Sequence, residues 1–228
     1  MKEKNSYDLI NVKISDLITK FDVIIKGSES FISNSLFLGE NALIKERRQK
    51  KYRNQKLDSE LRLQRLRIEA KMIKSALESS IYVPVLFSID LLTNSLQFEK
   101  IEGNALNSFL FDEKFLSNSD LKNKFLIKFG IIVSKLHNIE VIHGDLTPLN
   151  ILIDKENKIY IIDFGLSYYS NEVKDKAMDI FILYGALKIY PQENEELFNL
   201  FLQGYKNNKD YTSIIENFHK LLNKGRYK

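Results

Sequence analysis

The sequence predicts an α+β fold of two lobes, a strand-rich first lobe built around one helix and a mainly helical second lobe built around one hairpin. Three observations predict it. Up to about residue 102, apolar residues fall in short β-like runs interrupted by a single helical stretch. Beyond it the apolar spacing is helical apart from one tight strand pair. Between the two, "EGNAL" at 102–106 breaks both periodicities and marks a hinge near Glu102 and Gly103. The expected layout is an N-terminal extension over 1–20, a first lobe over 21–102, a second over 103–224 and a basic tail over 225–228, with a ligand cleft between the lobes.

Each element has its own signal. The runs "FDVII", "SLFL" and "ALIK", separated by "KGSES" and "GEN", read as an antiparallel meander whose last strand ends at Lys45. Residues 58–79 follow as a helix, with Leu66, Ala70, Ile73 and Leu77 at helical spacing and Asp58 as its N-cap. "VPVLFSID" and "SLQFEKI" pair as strands around "LLTNS". Residues 119–138 put Leu121, Phe125, Phe129, Ile132, Val133 and Leu136 on one stripe, the mark of a longer amphipathic helix. "NILID" and "KIYIID" form a hairpin around "KEN", and residues 174–224 read as three helices.

Composition bounds the function classes. Of the 228 residues, 44% are hydrophobic and 28% charged, ordinary values for a chain that folds compactly. The absence of cysteine excludes a disulfide framework, a thiolate zinc site and a cysteine nucleophile, and favours a reducing compartment. The N-terminus has no uninterrupted apolar region and no run nears the roughly 18 apolar residues of a membrane span, so a cytoplasmic location, with the nucleus as alternative, is expected. Net charge is +4, but residues 45–74 hold twelve Lys and Arg against four Asp and Glu, an excess of +8 that leaves the remainder at −4. After Glu216 the chain adds Lys220, Lys224, Arg226 and Lys228 with no acid. Such patches point to an anionic partner, most economically nucleic acid; a solvated helix face with a frayed tail is the alternative.

The chemistry lies around the hairpin. Asp145 and Asn150 precede its first strand in "IHGDLTPLNILID", and Asp163 follows its second in "IIDFGLS". A hairpin returns to its origin, so these three oxygen-bearing side chains gather at one end, where they suit a hard cation such as Mg2+ bound with phosphate oxygens. One aspartate orients or deprotonates a nucleophile while the asparagine and second aspartate hold metal, the division of labour of phosphoryl transfer.

The pattern H-x-D-x-x-x-x-N followed thirteen residues later by D-F-G resembles the protein kinase superfamily. That resemblance asks for a lysine on a first-lobe strand and a glutamate on the next helix, and Lys45 and Glu69 stand in those places. The chain also departs from ordinary protein kinases. Its first turn, "KGSESF", has one glycine, so Gly27 and the amides of Ser28, Glu29 and Ser30 are what would cover the phosphates. Gly144 replaces an arginine that pairs with a phosphorylated loop in many kinases, Thr147 replaces a lysine that contacts the transferred phosphate, and no A-P-E segment follows "DFGLS". Machinery for choosing a protein substrate is therefore expected to be reduced.

Together with the basic "LIKERRQKKYRNQKLDSELR", "RIEA" and "FEKIEG", these features resemble the atypical kinase subunit of the KEOPS (EKC) complex, which assists threonylcarbamoyl modification of adenosine in tRNA. The resemblance spans residues 25–187 and implies a minimal bilobal kinase fold that uses Mg-ATP, with a serine/threonine kinase activity also implied. It implies partners as well: the threonylcarbamoyl-transferase subunit, the other KEOPS subunits, and tRNA. It further implies that Lys45 and Glu69 position phosphates, that Asp145 is the catalytic aspartate, and that Asn150 and Asp163 bind magnesium. Glu99 and Ile101 would offer backbone hydrogen bonds to adenine. Lys50, Lys51 and Arg53, with Arg226 and Lys228 of the tail, would contact nucleic acid or a partner. Asp179 is a candidate anchor for the catalytic loop, His143 a packed framework histidine, and Tyr168 and Tyr169 packing residues or stacking platforms. Two rival readings stay open: a RIO-type kinase, and a catalytically silent kinase-fold module that binds tRNA or a partner.

Overall fold

The computed structural model describes residues 23–26, 30–50, 52–190 and 194–225. Gly27, Ser28, Glu29, Lys51, Arg226 and Lys228, all singled out above, lie outside the described residues. Five strands form one antiparallel sheet in the order β1-β2-β3-β5-β4: β1 (Val23–Lys26), β2 (Ser30–Phe37), β3 (Glu40–Arg47), β4 (Leu86–Asp90) and β5 (Ser95–Glu99). The expected meander is present, but β2 begins at Ser30 rather than Ser35, because "SFISN" pairs residue for residue with β3 although its residues do not alternate. β3 also runs two residues past Lys45, to Arg47. Positions 45 and 47 thereby share one face of the strand, and both are buried.

Helix α1 (Gln55–Glu78) is carried between β3 and β4. It starts earlier than expected: Asn54 is the N-cap, its side chain accepting from the N–H groups of Lys56 and Leu57, while Asp58 sits inside the first turn. Leu66, Ala70 and Ile73 of the expected stripe are buried, but Leu77 is 46% exposed.

The break at 102–106 is not irregular. It contains a three-residue strand, β6 (Gly103–Ala105), followed by helix α2 (Leu106–Phe109). β6 pairs with β8 (Ile151–Asp154), which pairs with β9 (Ile159–Ile161), so the expected hairpin gains a third strand from the hinge region. Short helix α3 (Glu113–Ser117) leads into α4, which spans the expected Ser119–Asn138 and buries the expected stripe with only Leu121 partly exposed. β7 (Val141–Ile142) and β10 (Tyr168–Tyr169) form a two-stranded ladder, and helices α5 (Val173–Leu187), α6 (Asn194–Tyr205) and α7 (Tyr211–Gly225) complete the second half.

One large apolar cluster joins α4, the β8-β9 hairpin, Phe164 and helices α5 to α7. Helices α4 and α6 pack with little room: a Cβ on Gly204 would stand 1.9 Å from the Ile127 carbonyl oxygen, and one on Gly130 would stand 2.0 Å from that of Phe201. This close approach fixes Tyr205, at the end of α6, against His137, near the end of α4. Among the described residues no helix is long and apolar enough to cross a membrane.

Candidate active site

Lys45 and Glu69 are brought together because β3 and α1 turn their buried faces toward each other. The Lys45 ammonium lies 2.6 Å from Glu69 Oε1 and 2.7 Å from Asp163 Oδ1, with the lysine only 5% exposed. Burial is the largest single influence on that lysine and pulls its pKa down, but the charges of Glu69 and Asp163 and their hydrogen bonds together outweigh it, so the pKa is raised. Asp163 shows the mirror image. Burial pushes its carboxyl up, the Lys45 charge and hydrogen bond with the Gly165 N–H and nearby His143 pull it down, and the net direction is down. Both groups are therefore held in their charged forms at neutral pH.

Asp163 adopts a left-handed backbone, φ 61° and ψ 69°, and its carboxylate accepts from the Gly165 N–H at 3.1 Å. A non-glycine residue held there stores strain, and such strain collects at functional sites. The strand end beside it is tied to the other acidic loop, since the Ile162 N–H donates to the Asn150 carbonyl at 3.0 Å. Asn150 in turn donates from Nδ2 to the Asp145 carbonyl oxygen at 2.8 Å and to its carboxylate Oδ2 at 2.9 Å. Asp145, Asn150 and Asp163 thus sit at one end of the β8-β9 hairpin, as expected.

The loop that carries Asp145 is held from beneath. Asp179, fully buried on α5, accepts from the His143 N–H at 2.6 Å and from the Gly144 N–H at 2.8 Å. It also accepts a hydrogen bond from His137 Nε2 at 3.1 Å, while the Tyr205 hydroxyl donates to His137 Nδ1 at 2.6 Å. Burial, with the Asp179 and Asp210 charges adding to it, pushes the Tyr205 phenol far up, so it stays a donor. His143 is the packed framework histidine the sequence suggests: its ring rests 5.2 Å from Phe164, its Nε2 faces the Ile162 carbonyl at 3.0 Å, and its Nδ1 accepts from the Asp145 N–H at 3.3 Å.

Gly144 explains one departure from the common kinase pattern. Its φ is +79°, and a Cβ there would stand 2.4 Å from the Leu166 carbonyl oxygen. The position where many kinases place an arginine is closed to any side chain in this backbone. The segment after Asp163 is short and pinned: Ser167 Oγ donates to the His143 carbonyl at 2.9 Å, the Ser170 N–H to the Glu140 carbonyl at 2.8 Å, and α5 begins at Val173. Tyr168 and Tyr169 are partly exposed rather than core residues. Tyr169 bonds Ser75 and lies under Lys71 at 4.7 Å, which ties this segment to α1.

The donors fit a hard cation. Asn150 spends its NH2 on Asp145 and keeps Oδ1 as acceptor; Asp163 spends Oδ1 on Lys45 and Gly165 and keeps Oδ2. Among the described residues no cluster of three or more His, Cys, Asp and Glu could hold a metal alone, so phosphate oxygens and water would complete the shell of an Mg2+ held here. At the hinge, the Glu99 N–H is committed to the Val85 carbonyl at 2.9 Å and the Ile101 carbonyl to the Gly103 N–H at 3.1 Å. The Glu99 carbonyl and Ile101 N–H are the complementary pair an adenine edge would use.

Three participants escape sequence reading. Arg47 is 6% exposed and forms an ion pair with Glu69 Oε2, so Glu69 is gripped by two cations. In sequence it is one of many arginines, and only its two-residue spacing from Lys45 hints at a shared face. His137 and Tyr205 are the other two: His137 reaches Asp179 across 42 residues of sequence and Tyr205 reaches His137 across 68, a coupling no local pattern reveals. Of the basic residues expected to face a partner, Arg53 lies 3.8 Å from the buried Asp58, which also takes Arg62 Nε at 2.8 Å and the Lys50 N–H at 3.3 Å.

Comparison with known proteins shows the family over most of the chain. Residues 39–183 match the protein kinase domain family. The probable serine/threonine-protein kinase BUD32 homolog of Archaeoglobus fulgidus is 31% identical over 82% of this chain and 89% of its own length. The EKC/KEOPS complex subunit BUD32 of Enterocytozoon bieneusi is 37% identical over 80% of this chain and 89% of its own. A probable bifunctional tRNA threonylcarbamoyladenosine biosynthesis protein of Methanosphaera stadtmanae is 38% identical over 95% of this chain, which spans only 38% of that longer protein.

Proposed function

From the fact that this chain belongs to the protein kinase family, and within it to the BUD32 kinases, we propose that it binds and splits Mg-ATP in support of threonylcarbamoyladenosine formation in tRNA, as a subunit of a KEOPS-type complex. The observation that carries the catalytic part is the position of Lys45, bonded at once to Glu69 and to Asp163. A nucleotide phosphate arriving in the cleft meets a lysine already aimed and charged, which is the arrangement phosphoryl transfer requires. Asp145, fixed by Asn150 and by the Asp179 anchor beneath it, orients the attacking oxygen, water or hydroxyl, and takes its proton. Mg2+ supplies charge neutralisation of the phosphates when bound, with Asn150 Oδ1 and Asp163 Oδ2 as its protein donors. The Glu99 carbonyl and Ile101 N–H receive adenine.

The choice of tRNA modification over conventional protein phosphorylation rests on two features. The segment between Asp163 and α5 is too short to build a peptide platform, and the Gly144 position admits no phosphate-reading arginine. Relatives named for tRNA threonylcarbamoyladenosine biosynthesis carry a stretch similar to this chain as part of one longer polypeptide. The basic stretch around Lys50, Lys51 and Arg53 and the tail residues Arg226 and Lys228 supply the tRNA-facing charge.

Thermal unfolding with and without Mg-ATP tests the nucleotide site. At a hundred times its dissociation constant a ligand stabilises by about 2.7 kcal/mol, and that gain should vanish in Lys45→Met. Equal melting with and without Mg-ATP in the unaltered chain would leave a silent kinase-fold module as the better description.

A further inference from the structure

A depression outside the nucleotide cleft is lined by Arg47, Arg48, Lys50, Arg53, Arg62 and Arg65, and no acidic side chain is among its described lining residues. Six cations do not gather in a concavity without cost, since each raises the potential felt by the others. The gathering is built. Asp58, 0% exposed, lies behind the depression and fixes Arg62 through Nε at 2.8 Å, Arg53 at 3.8 Å and the loop backbone through the Lys50 N–H at 3.3 Å. Arg62 reaches on from Asp58 to the Arg47 carbonyl at 3.4 Å, and Arg48 is set over the Phe31 ring at 3.8 Å. The arginines are therefore prearranged, which is what planar, bidentate recognition of phosphate oxygens rewards. At about 10 Å3 the depression has room for about one water-sized atom, so it would take a single phosphate oxygen rather than a base or sugar.

We propose that this arginine-lined depression is a phosphate-binding site that seats a backbone phosphate of RNA, and that Arg47 joins it to the catalytic ion pairs. The phosphate chemistry follows from the lining; RNA as its source rests on the tRNA reading above. Arg47 lines the depression and also holds Glu69, the partner of Lys45, while its guanidinium lies 3.2 Å from where a Cβ of Gly165 would stand. A phosphate seated beside Arg47 therefore acts on the same side chain that fixes Glu69, so RNA binding and Mg-ATP binding should change each other's affinity by one and the same factor.

The test uses the full chain carrying Arg48→Gln and Arg65→Gln together, with melting in the absence of RNA as the check on folding. tRNA binding is measured across a salt series, and inorganic phosphate is added as competitor. The slope of log affinity against log salt should flatten by about 0.7–0.9 for each phosphate contact removed, and affinity should fall several-fold. An unchanged slope in a folded double variant overturns the site. If Lys56→Glu with Arg67→Glu, two exposed residues outside the lining of the depression, weakens tRNA while the double glutamine variant does not, RNA crosses α1 away from the depression, which overturns this inference and spares the tRNA reading. Inorganic phosphate that raises the melting temperature of the unaltered chain but not of the variant, with tRNA unaffected or unbound, makes a free anion the occupant and overturns the RNA source. Mg-ATP affinity that is the same with and without saturating tRNA removes the Arg47 link.

Discussion

Replacing Asp179 by alanine removes one carboxylate and strands three donors at once: the N–H groups of His143 and Gly144 and the Nε2–H of His137. Two of the three residues are fully buried and Gly144 is partly so, which leaves water little access to substitute for the lost acceptor. At about 1–3 kcal/mol for each buried donor left unpaired, discounted for Gly144, the expected loss is roughly 3–5 kcal/mol. For a chain of this size each kcal/mol lowers the melting temperature by about 2–4 °C, so a fall of roughly 6–20 °C is expected. Activity should suffer beyond stability, because His143 and Gly144 immediately precede Asp145, and a displacement of about 1 Å at such a position can cost about a hundredfold in rate. Asp179→Asn keeps an oxygen for one side and turns an NH2 toward the other, so it should recover part of the loss. Thermal and urea unfolding with ATP turnover at a temperature where each variant is folded would measure both effects. A fall under about 3 °C with unchanged turnover would refute the claim that Asp179 holds the loop.

Further outcomes follow from the same geometry. Gly144→Ala must hold a side chain at φ +79° with its Cβ 2.4 Å from the Leu166 carbonyl oxygen; a loss of about 2 kcal/mol or more and reduced turnover are expected, read by urea unfolding and ATP hydrolysis. The Lys45 ion pairs should survive across neutral pH and fail at both extremes. Asp163, lowered below its ordinary 3.8, contributes stability that is present above that value and lost as pH falls through its folded pKa. Lys45, raised above 10.5, contributes stability that is present below that value and lost as pH rises through its folded pKa. The Lys45→Met deficit relative to the unaltered chain should therefore begin to shrink as pH falls below 3.8 and as it rises above 10.5, read by melting across the range in which both chains fold, and a deficit that grows toward either extreme would contradict the assignment. Reversing Lys50, Lys51 and Arg53 to glutamate should weaken tRNA binding and flatten its salt dependence, measured by titration at several salt concentrations.

What was legible in the sequence was whatever repeats at short range. The stripe on α4 and the hairpin flanked by Asp145, Asn150 and Asp163 are periodic or closely spaced, and both stand where expected. Residue type favours Asp58 as the N-cap, but Asn54 takes that place because it lies at the actual turn, while Asp58 is drawn inward as the buried partner of Arg62. The strand at Gly103–Ala105 is too short to show a period, and it exists because β8 offers it an edge. Residue type and order bring Lys45, Glu69, Asp145, Asn150 and Asp163 into one candidate site, yet Arg47 is hidden by its basic neighbours, although β3 alternation places it beside Lys45 on one face. The support of the loop by Tyr205 through His137 to Asp179 depends on helices α4, α5 and α6 packing together, and no window of sequence contains it.

The central claim is that the Lys45, Glu69, Asp145, Asn150 and Asp163 constellation splits Mg-ATP for a tRNA-modifying assembly. Mg-ATP hydrolysis by the purified chain, alone and with a threonylcarbamoyl-transferase partner and tRNA, with Asp163→Ala as the blank, tests it most directly. The account predicts turnover that rises with partner and tRNA and disappears in Asp163→Ala while that variant stays folded. Full turnover in Asp163→Ala, or none from the folded unaltered chain under any of these conditions, would contradict it.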